Sequence, residues 1–274
     1  MKKKNMILVI IILLLVSAAL CGFFFVRSYI TAQEEISEYS DVQKEYTSVI
    51  PASTHTSGVN PGDDSNISEA PSEAAGLPYT AVDFDALLLE NPDTVGWLAI
   101  PDTVISYPVV QTKDNAKYLN VSFLGKRSST GTPFADMGNN MRDLDANTII
   151  YGHNMGFGRQ DMFGALLSYK DSNFYATHRY IQFDTVSQHS WWKVFAVIEY
   201  NYSSKEFPYQ QTRFASAEEF AAWVEKAKAL SIYSDDTVLT PNGHVLTLST
   251  CDRSKYGKNG RLLVLAVQIT DTRG

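Results

Sequence analysis

Hydrophobic and polar positions change rhythm three times along the 274-residue chain. From Met6 to Val26 almost every residue is apolar and none is charged. At about 1.5 Å per residue, a helix over that run spans roughly 30 Å, the hydrocarbon thickness of a bilayer. Lys2, Lys3 and Lys4 precede it, which favours a cytoplasmic N-terminus and an exported remainder. A cleaved leader competes with this reading, because Ser17-Ala18-Ala19 offers a small-x-small site. Leu20 to Val26 stays apolar beyond that site, longer than a leader needs, so the expectation is a single-pass anchor over residues 1–30. Residues 31–77 then read as a stalk. Thr31 to Ser48 is acidic and extends the anchor helix, whereas Ile50 to Gly76 is rich in Pro, Ser, Thr, Gly, Asp and Glu, with little to bury. A flexible chain of that length reaches roughly 35–40 Å.

From Pro78 to the end, residues 78–274, the pattern is that of a folded domain. Asp83 is placed to cap a short helix carrying Phe84, Leu87 and Leu88 on one side, with Asn91-Pro92 as its stop. Seven runs rich in β-branched and aromatic residues follow: Val95–Ile100, Val104–Val110, Thr148–Gly152, Tyr180–Phe183, Trp192–Tyr200, Val245–Thr250 and Leu262–Ile269. Many short strands in one domain predict a mainly β sandwich or barrel. One helix interrupts them. Ser216-Ala217-Glu218-Glu219 fits a capping box, and Phe220, Trp223, Val224, Ala227 and Leu230 recur at helical spacing, a stripe expected to pack on the sheet.

Composition narrows the function. Hydrophobic residues at 45% allow a sizeable core, and a net charge of −7 with no basic stripe excludes a nucleic-acid partner. No carboxylate cluster has ligand spacing, so no metal or cofactor is expected. Of the two cysteines, Cys21 lies in the apolar run, which leaves Cys251 as a lone thiol in the domain, inert or reactive rather than disulfide-bonded.

Cys251 ends an alternating strand, and Arg261 opens the next one after a loop from Asp252 to Gly260. If the two strands pair antiparallel, thiol and guanidinium meet at one rim. A guanidinium there favours anionic sulfur and offers fixed donors to an oxyanion. In Tyr151-Gly152-His153, a strand delivers a histidine to a loop, where it can move protons near neutral pH. Spacing alone does not bring His153 to Cys251. Taken singly, each residue also has an ordinary reading: a buried thiol, a hydrogen-bonded structural histidine, a surface ion pair.

Together the three positions resemble the sortase signature: Thr247-Leu248-Ser249-Thr250-Cys251, Arg261 downstream and Tyr151-Gly152-His153 upstream. Gly96-Trp97-Leu98-Ala99-Ile100-Pro101 looks like the opening strand of that family. Tyr107-Pro108-Val109-Val110-Gln111, Asp114-Asn115, Tyr118-Leu119 and Gly131-Thr132-Pro133-Phe134-Ala135-Asp136 are similar to class B members, as is the helix at Ser216–Leu230 ahead of the cysteine strand. The resemblance implies a closed eight-stranded β-barrel with an N-terminal helix. It also implies a membrane-anchored cysteine transpeptidase, with Cys251 as nucleophile, His153 as proton shuttle and Arg261 as oxyanion stabiliser. Thr250 and Ser249 are candidate substrate contacts. Expected partners are secreted proteins with a C-terminal Asn-Pro-x-Thr-x sorting signal and a cell-wall amine as acceptor. A pilin-polymerising enzyme, a cysteine peptidase and a non-catalytic binding module remain open on sequence grounds. Gly156–Phe163 is a further expectation, as a wall beside His153.

Overall fold

The computed structural model of the protein describes residues 2–51, 76–156, 158–239, 243–269 and 272–273. Met1–Asp41 and Val42–Gly274 are separate compact units. The apolar run and the acidic segment after it are one helix, α1, Lys2–Tyr46, about 68 Å long at 1.5 Å per residue; Lys2–Asp41 of it lies in the first unit. The side chains of Ile7–Val26 are exposed throughout, and the helix is long and apolar enough to cross a membrane. Most of the expected polar stalk, residues 52–75, lies outside the described residues.

The second unit begins earlier than the sequence suggested. Thr47–Ile50 forms β1 and pairs antiparallel with β2, Tyr79–Val82. Four residues are too few for a period-2 pattern to announce itself. Asp83 then caps α2, Phe84–Glu90, accepting from the Ala86 N–H at 3.0 Å, and Asn91 ends it. The remaining strands are β3 (Thr94–Ala99), β4 (Ser106–Val110), β5 (Phe134–Ala135), β6 (Asn147–Tyr151), β7 (Tyr180–Thr185), β8 (Gln188–His189), β9 (Trp191–Asn201), β10 (Val245–Cys251), β11 (Gly260–Gln268) and β12 (Thr272–Arg273). All seven expected runs are strands, with ends shifted by one or two residues. A nine-residue 3-10 segment, Met162–Lys170, leads into α3, Ser172–Thr177.

Pairing runs β7-β3-β4-β5-β6-β10-β11-β9, and β9 pairs back with β7. The sheet therefore closes into an eight-stranded barrel, and β8 and β12 append to its β7 edge. Closure leaves no open edge among those eight strands. Trp97, Phe183, Trp192 and Ile149 are fully buried. The longest helix of the described domain is α4, Ala217–Leu230, between β9 and β10. Its stripe, Phe220, Trp223, Val224 and Ala227, joins Phe195, Leu263 and Leu265 in one apolar cluster, with Leu230 packed against it. The Ser216 hydroxyl accepts from the Glu219 N–H at 3.2 Å. The Glu219 carboxylate reaches back to the Ala215 N–H, at 2.6 Å, one residue beyond the reach a capping box describes.

Candidate active site

Two strand pairings assemble the site. β10 and β11 pair antiparallel, and their final register pair is Cys251 with Arg261. On the other side β10 pairs in parallel with β6, from Asn147 opposite Val245 to Tyr151 opposite Ser249. Carried on by two residues, that register sets His153 in line with Cys251. A hairpin brings the arginine, and a parallel neighbour brings the histidine.

His153, Cys251 and Arg261, each half-buried, line one groove of ≈ 250 Å³. Ser249 and Thr250 line it too, though both are buried. The Thr250 hydroxyl donates to the Gly152 carbonyl at 2.8 Å, so it braces the segment before His153. The Ser249 hydroxyl hydrogen-bonds the Tyr209 phenol. Burial pushes that phenol up to about 12, with Ser249 and the Arg261 charge pulling the other way. A larger depression, ≈ 380 Å³, runs along α4 past Glu218, Phe220 and Val224 and is remote in sequence and lining from these residues.

His153 is held from three sides. Its Nε2 lies 2.9 Å from the Leu119 carbonyl. A carbonyl only accepts, so Nε2 is the donor there and Nδ1 is the nitrogen left for proton transfer. The His153 carbonyl accepts from the Phe163 N–H at 2.9 Å. Behind it, Gly152 lies flat on the fully buried Phe163, where a Cβ would stand 2.5 Å from the ring. Met162 and Phe163, at the end of the segment expected as a wall beside His153, are buried and support the histidine.

Arg261 donates from Nη1 to the Gly260 carbonyl at 2.8 Å and to the Lys258 carbonyl at 3.2 Å. Its guanidinium carbon stands 5.6 Å from the Tyr202 ring centroid. Nε and Nη2 are not engaged by those two carbonyls. The span between Cys251 and Arg261 is not the plain loop the sequence suggested. Asp252 caps a short helix, α5, Arg253–Tyr256, by accepting from the Ser254 N–H at 2.9 Å. Burial works against the Asp252 carboxylate, yet Ser254 and Lys170 hold it below the usual range. Lys170 reaches it at 2.9 Å and Glu199 at 3.1 Å.

Tyr151, Tyr209, Gln210 and Asn115 also line the groove. Two of them, Tyr209 and Gln210, lie outside the motifs. The Asp136 carboxylate accepts from Asn115 and from the Tyr151 hydroxyl, both at 2.9 Å, and Gln210 donates to the same hydroxyl at 3.0 Å. Asn115 and Leu119 stood within segments quoted for the resemblance, whereas Tyr209 and Gln210 follow β9 with no local signal. Among the described residues, no group of three His, Cys, Asp or Glu is placed to hold a metal ion.

The barrel thus brings a cysteine and an arginine into register and a histidine just beyond the adjoining parallel strand into the same groove. The Sortase domain family matches residues 98–269. The chain belongs to the sortase family. Within it the chain is a class B sortase. It is 36% identical over 180 residues to Sortase B of Listeria monocytogenes, covering 66% of this chain and 71% of that protein. Against Sortase B of Staphylococcus aureus it is 29% identical over 245 residues, 89% of each. The structure of sortase B from Bacillus anthracis in complex with AAEK1 superposes with a TM-score of 0.68 at 30% identity, over 88% of this chain and 99% of that one. The Staphylococcus aureus sortase B-substrate complex gives 0.68 at 26% identity with the same coverage. As a sortase the protein is an enzyme, a cysteine transpeptidase of the class B type, and its barrel is the sortase barrel.

Proposed function

We propose that this sortase is held in the cell membrane by α1, with its catalytic domain on the extracellular face, and joins sorting-signal proteins to a cell-wall amine. The observation that carries the chemistry is the shared groove: Cys251 and Arg261 stand in register, and His153 lines the same wall. The Cys251 sulfur attacks the carbonyl carbon of Thr in an Asn-Pro-x-Thr-x signal. The Arg261 guanidinium receives the charge that develops on the carbonyl oxygen. His153 Nδ1, with Nε2 facing Leu119, takes the Cys251 thiol proton as the sulfur attacks and gives it to the departing amine. The peptide is now a thioester on Cys251. The acceptor amine attacks it, His153 takes the amine proton and passes it to the Cys251 sulfur as the C–S bond breaks, and the new amide is complete.

The topology supports the same reading. The lysines before α1 favour the cytoplasm, and residues 31–77 bridge anchor and barrel. With enzyme, sorting-signal protein and wall precursor all at one membrane face, tethering raises their effective concentration. Asn-Pro-x-Thr also occurs within the chain, at Asn91-Pro92-Asp93-Thr94. There Asn91 and Thr94 are buried, and Asn91 donates to Tyr118 and to the Phe123 carbonyl. Folding withholds that copy from the groove.

The test is to incubate the full chain in detergent with a pool of Asn-Pro-x-Thr-x peptides, with and without a glycine amine, and to read products by mass. Transfer of the Thr-ended fragment to the amine, lost in Cys251→Ala, is the expected result. Release as free acid alone, with amine in excess, contradicts transpeptidation.

A further inference from the structure

The tie between Asn154 and Cys251 has no part in the chemistry above. β6 and β10 run in parallel to their last register pair, Tyr151 with Ser249. The next ladder bond is made by the Gly152 N–H, donating to the Ser249 carbonyl at 3.2 Å. In a parallel ladder, bonds from one strand recur every second residue. The following bond would come from the backbone N–H of residue 154 to the Cys251 carbonyl. That carbonyl instead accepts the side-chain amide of Asn154, Nδ2, at 2.8 Å.

The substitution of side chain for backbone has a geometric consequence. The backbone after Gly152 peels away from β10, which frees the His153 side chain to face the groove. Even so, the strands stay fastened on both sides of His153: at Gly152 by the ladder bond and by the Thr250 hydroxyl, and at Asn154 by its amide. The other end of that amide is also occupied. Asn154 Oδ1 accepts from the Gly156 N–H at 2.8 Å, and Gly156 has φ +73°, a conformation that suits glycine. The turn thus fixes the amide, and the amide fixes the nucleophile's own backbone.

We infer that Asn154 is a positioning residue that sets the separation of Cys251 and His153 by replacing the last ladder bond with its side chain. Its amide holds the Cys251 carbonyl and the Gly156 N–H. Because small displacements of reacting groups cost about 10²-fold in rate, its loss falls on the chemical step rather than on peptide binding. The inference rests on Cys251 and His153 acting as a pair.

Asn154→Asp is the discriminating variant. It keeps an oxygen for the Gly156 N–H and replaces the donor to Cys251 with an acceptor. In the full chain, kcat and KM are measured with an Asn-Pro-x-Thr peptide, alongside the melting temperature. The rate of Cys251 alkylation by iodoacetamide is read in parallel, with His153→Ala as reference. The expected result is a kcat lower by about 10- to 100-fold, KM within about twofold, an unchanged melting temperature and slowed alkylation, with Asn154→Ala behaving alike. Wild-type kcat and alkylation in Asn154→Asp overturn the inference, as does a loss confined to KM or one that follows the unfolded fraction. Should the wild-type chain turn over no peptide, the proposed reaction fails on its own and the alkylation rates decide this inference.

Discussion

Cys251 and Arg261 face each other as the terminal pair of the β10–β11 ladder. Side chains directly opposite on an antiparallel pair start about 4.5–5.5 Å apart, so backbone register, not a flexible loop, puts the cation beside the thiol. Replacing Arg261 leaves that register intact. Arg261→Ala is expected to lower kcat by about 10²–10³, the usual loss for one oxyanion donor. Arg261→Lys restores charge but not the planar fork and recovers only part of the rate. Steady-state kinetics on both variants check this; full recovery by Lys would mean that charge alone matters.

Gly152 controls how closely His153 lies on its support. A Cβ there meets the Phe163 ring at 2.5 Å, and Phe163 is fully buried. Gly152→Ala forces the strand end or the ring aside, at about 1–3 kcal/mol by analogy with other overpacked sites. The expected outcome is a lower melting temperature together with a fall in kcat, because the displaced residue adjoins His153. Thermal melts and peptide turnover on one preparation test both halves.

Lys170 joins the segment after the nucleophile to β9 through Asp252 and Glu199. Lys170→Met is expected to destabilise by about 1–3 kcal/mol, between an exposed pair and a buried one. Both carboxylates sit below their ordinary values, 3.8 for Asp252 and 4.5 for Glu199. A lowered carboxylate stabilises the fold above its unfolded value and ceases to as pH falls through its folded one. The stability gap between wild type and Lys170→Met should therefore be full near neutrality and close in acid. A gap that persists in strong acid would show that lost packing, not the ion pair, is responsible.

His189 predicts the opposite slope. Its Nδ1 lies 3.2 Å from Asp184 Oδ2 and 2.6 Å from the Tyr79 hydroxyl, so it joins β2 to the barrel. The hydrogen bond to Asp184 raises it above its ordinary 6.5, against burial, which lowers it. A raised imidazole stabilises fully below 6.5 and loses that contribution as pH climbs through the raised value. The melting temperature of His189→Gln should trail wild type most in mild acid and approach it in alkali. A constant difference across that range would contradict the linkage.

The legible part of the site was the local part. Cys251 and Arg261 sit on consecutive strands, so a hairpin argument placed them together from spacing alone. His153 comes from a parallel neighbour almost one hundred residues away, and only the family resemblance associated it with the thiol before the β6–β10 pairing was seen. Helices declared themselves through caps at Asp83 and Ser216 and through the Phe220–Leu230 stripe. β1, β5 and β8 did not, since runs of two to four residues carry no periodicity. Tyr209, Gln210 and Asn154 were missed for a related reason: they are loop residues whose place in the groove depends on long-range pairing.

The central claim is that Cys251 carries the acyl group, and peptide-mapping mass spectrometry on rapidly quenched reactions tests it most directly. The full chain is mixed with an Asn-Pro-x-Thr-x peptide without amine, quenched in acid and digested. The account predicts that the peptide containing Cys251 gains the mass of the fragment ending in Thr, and that the adduct vanishes when a glycine amine is added before quenching. Turnover with no adduct on Cys251 at any quench time, or an adduct on another residue, would contradict it.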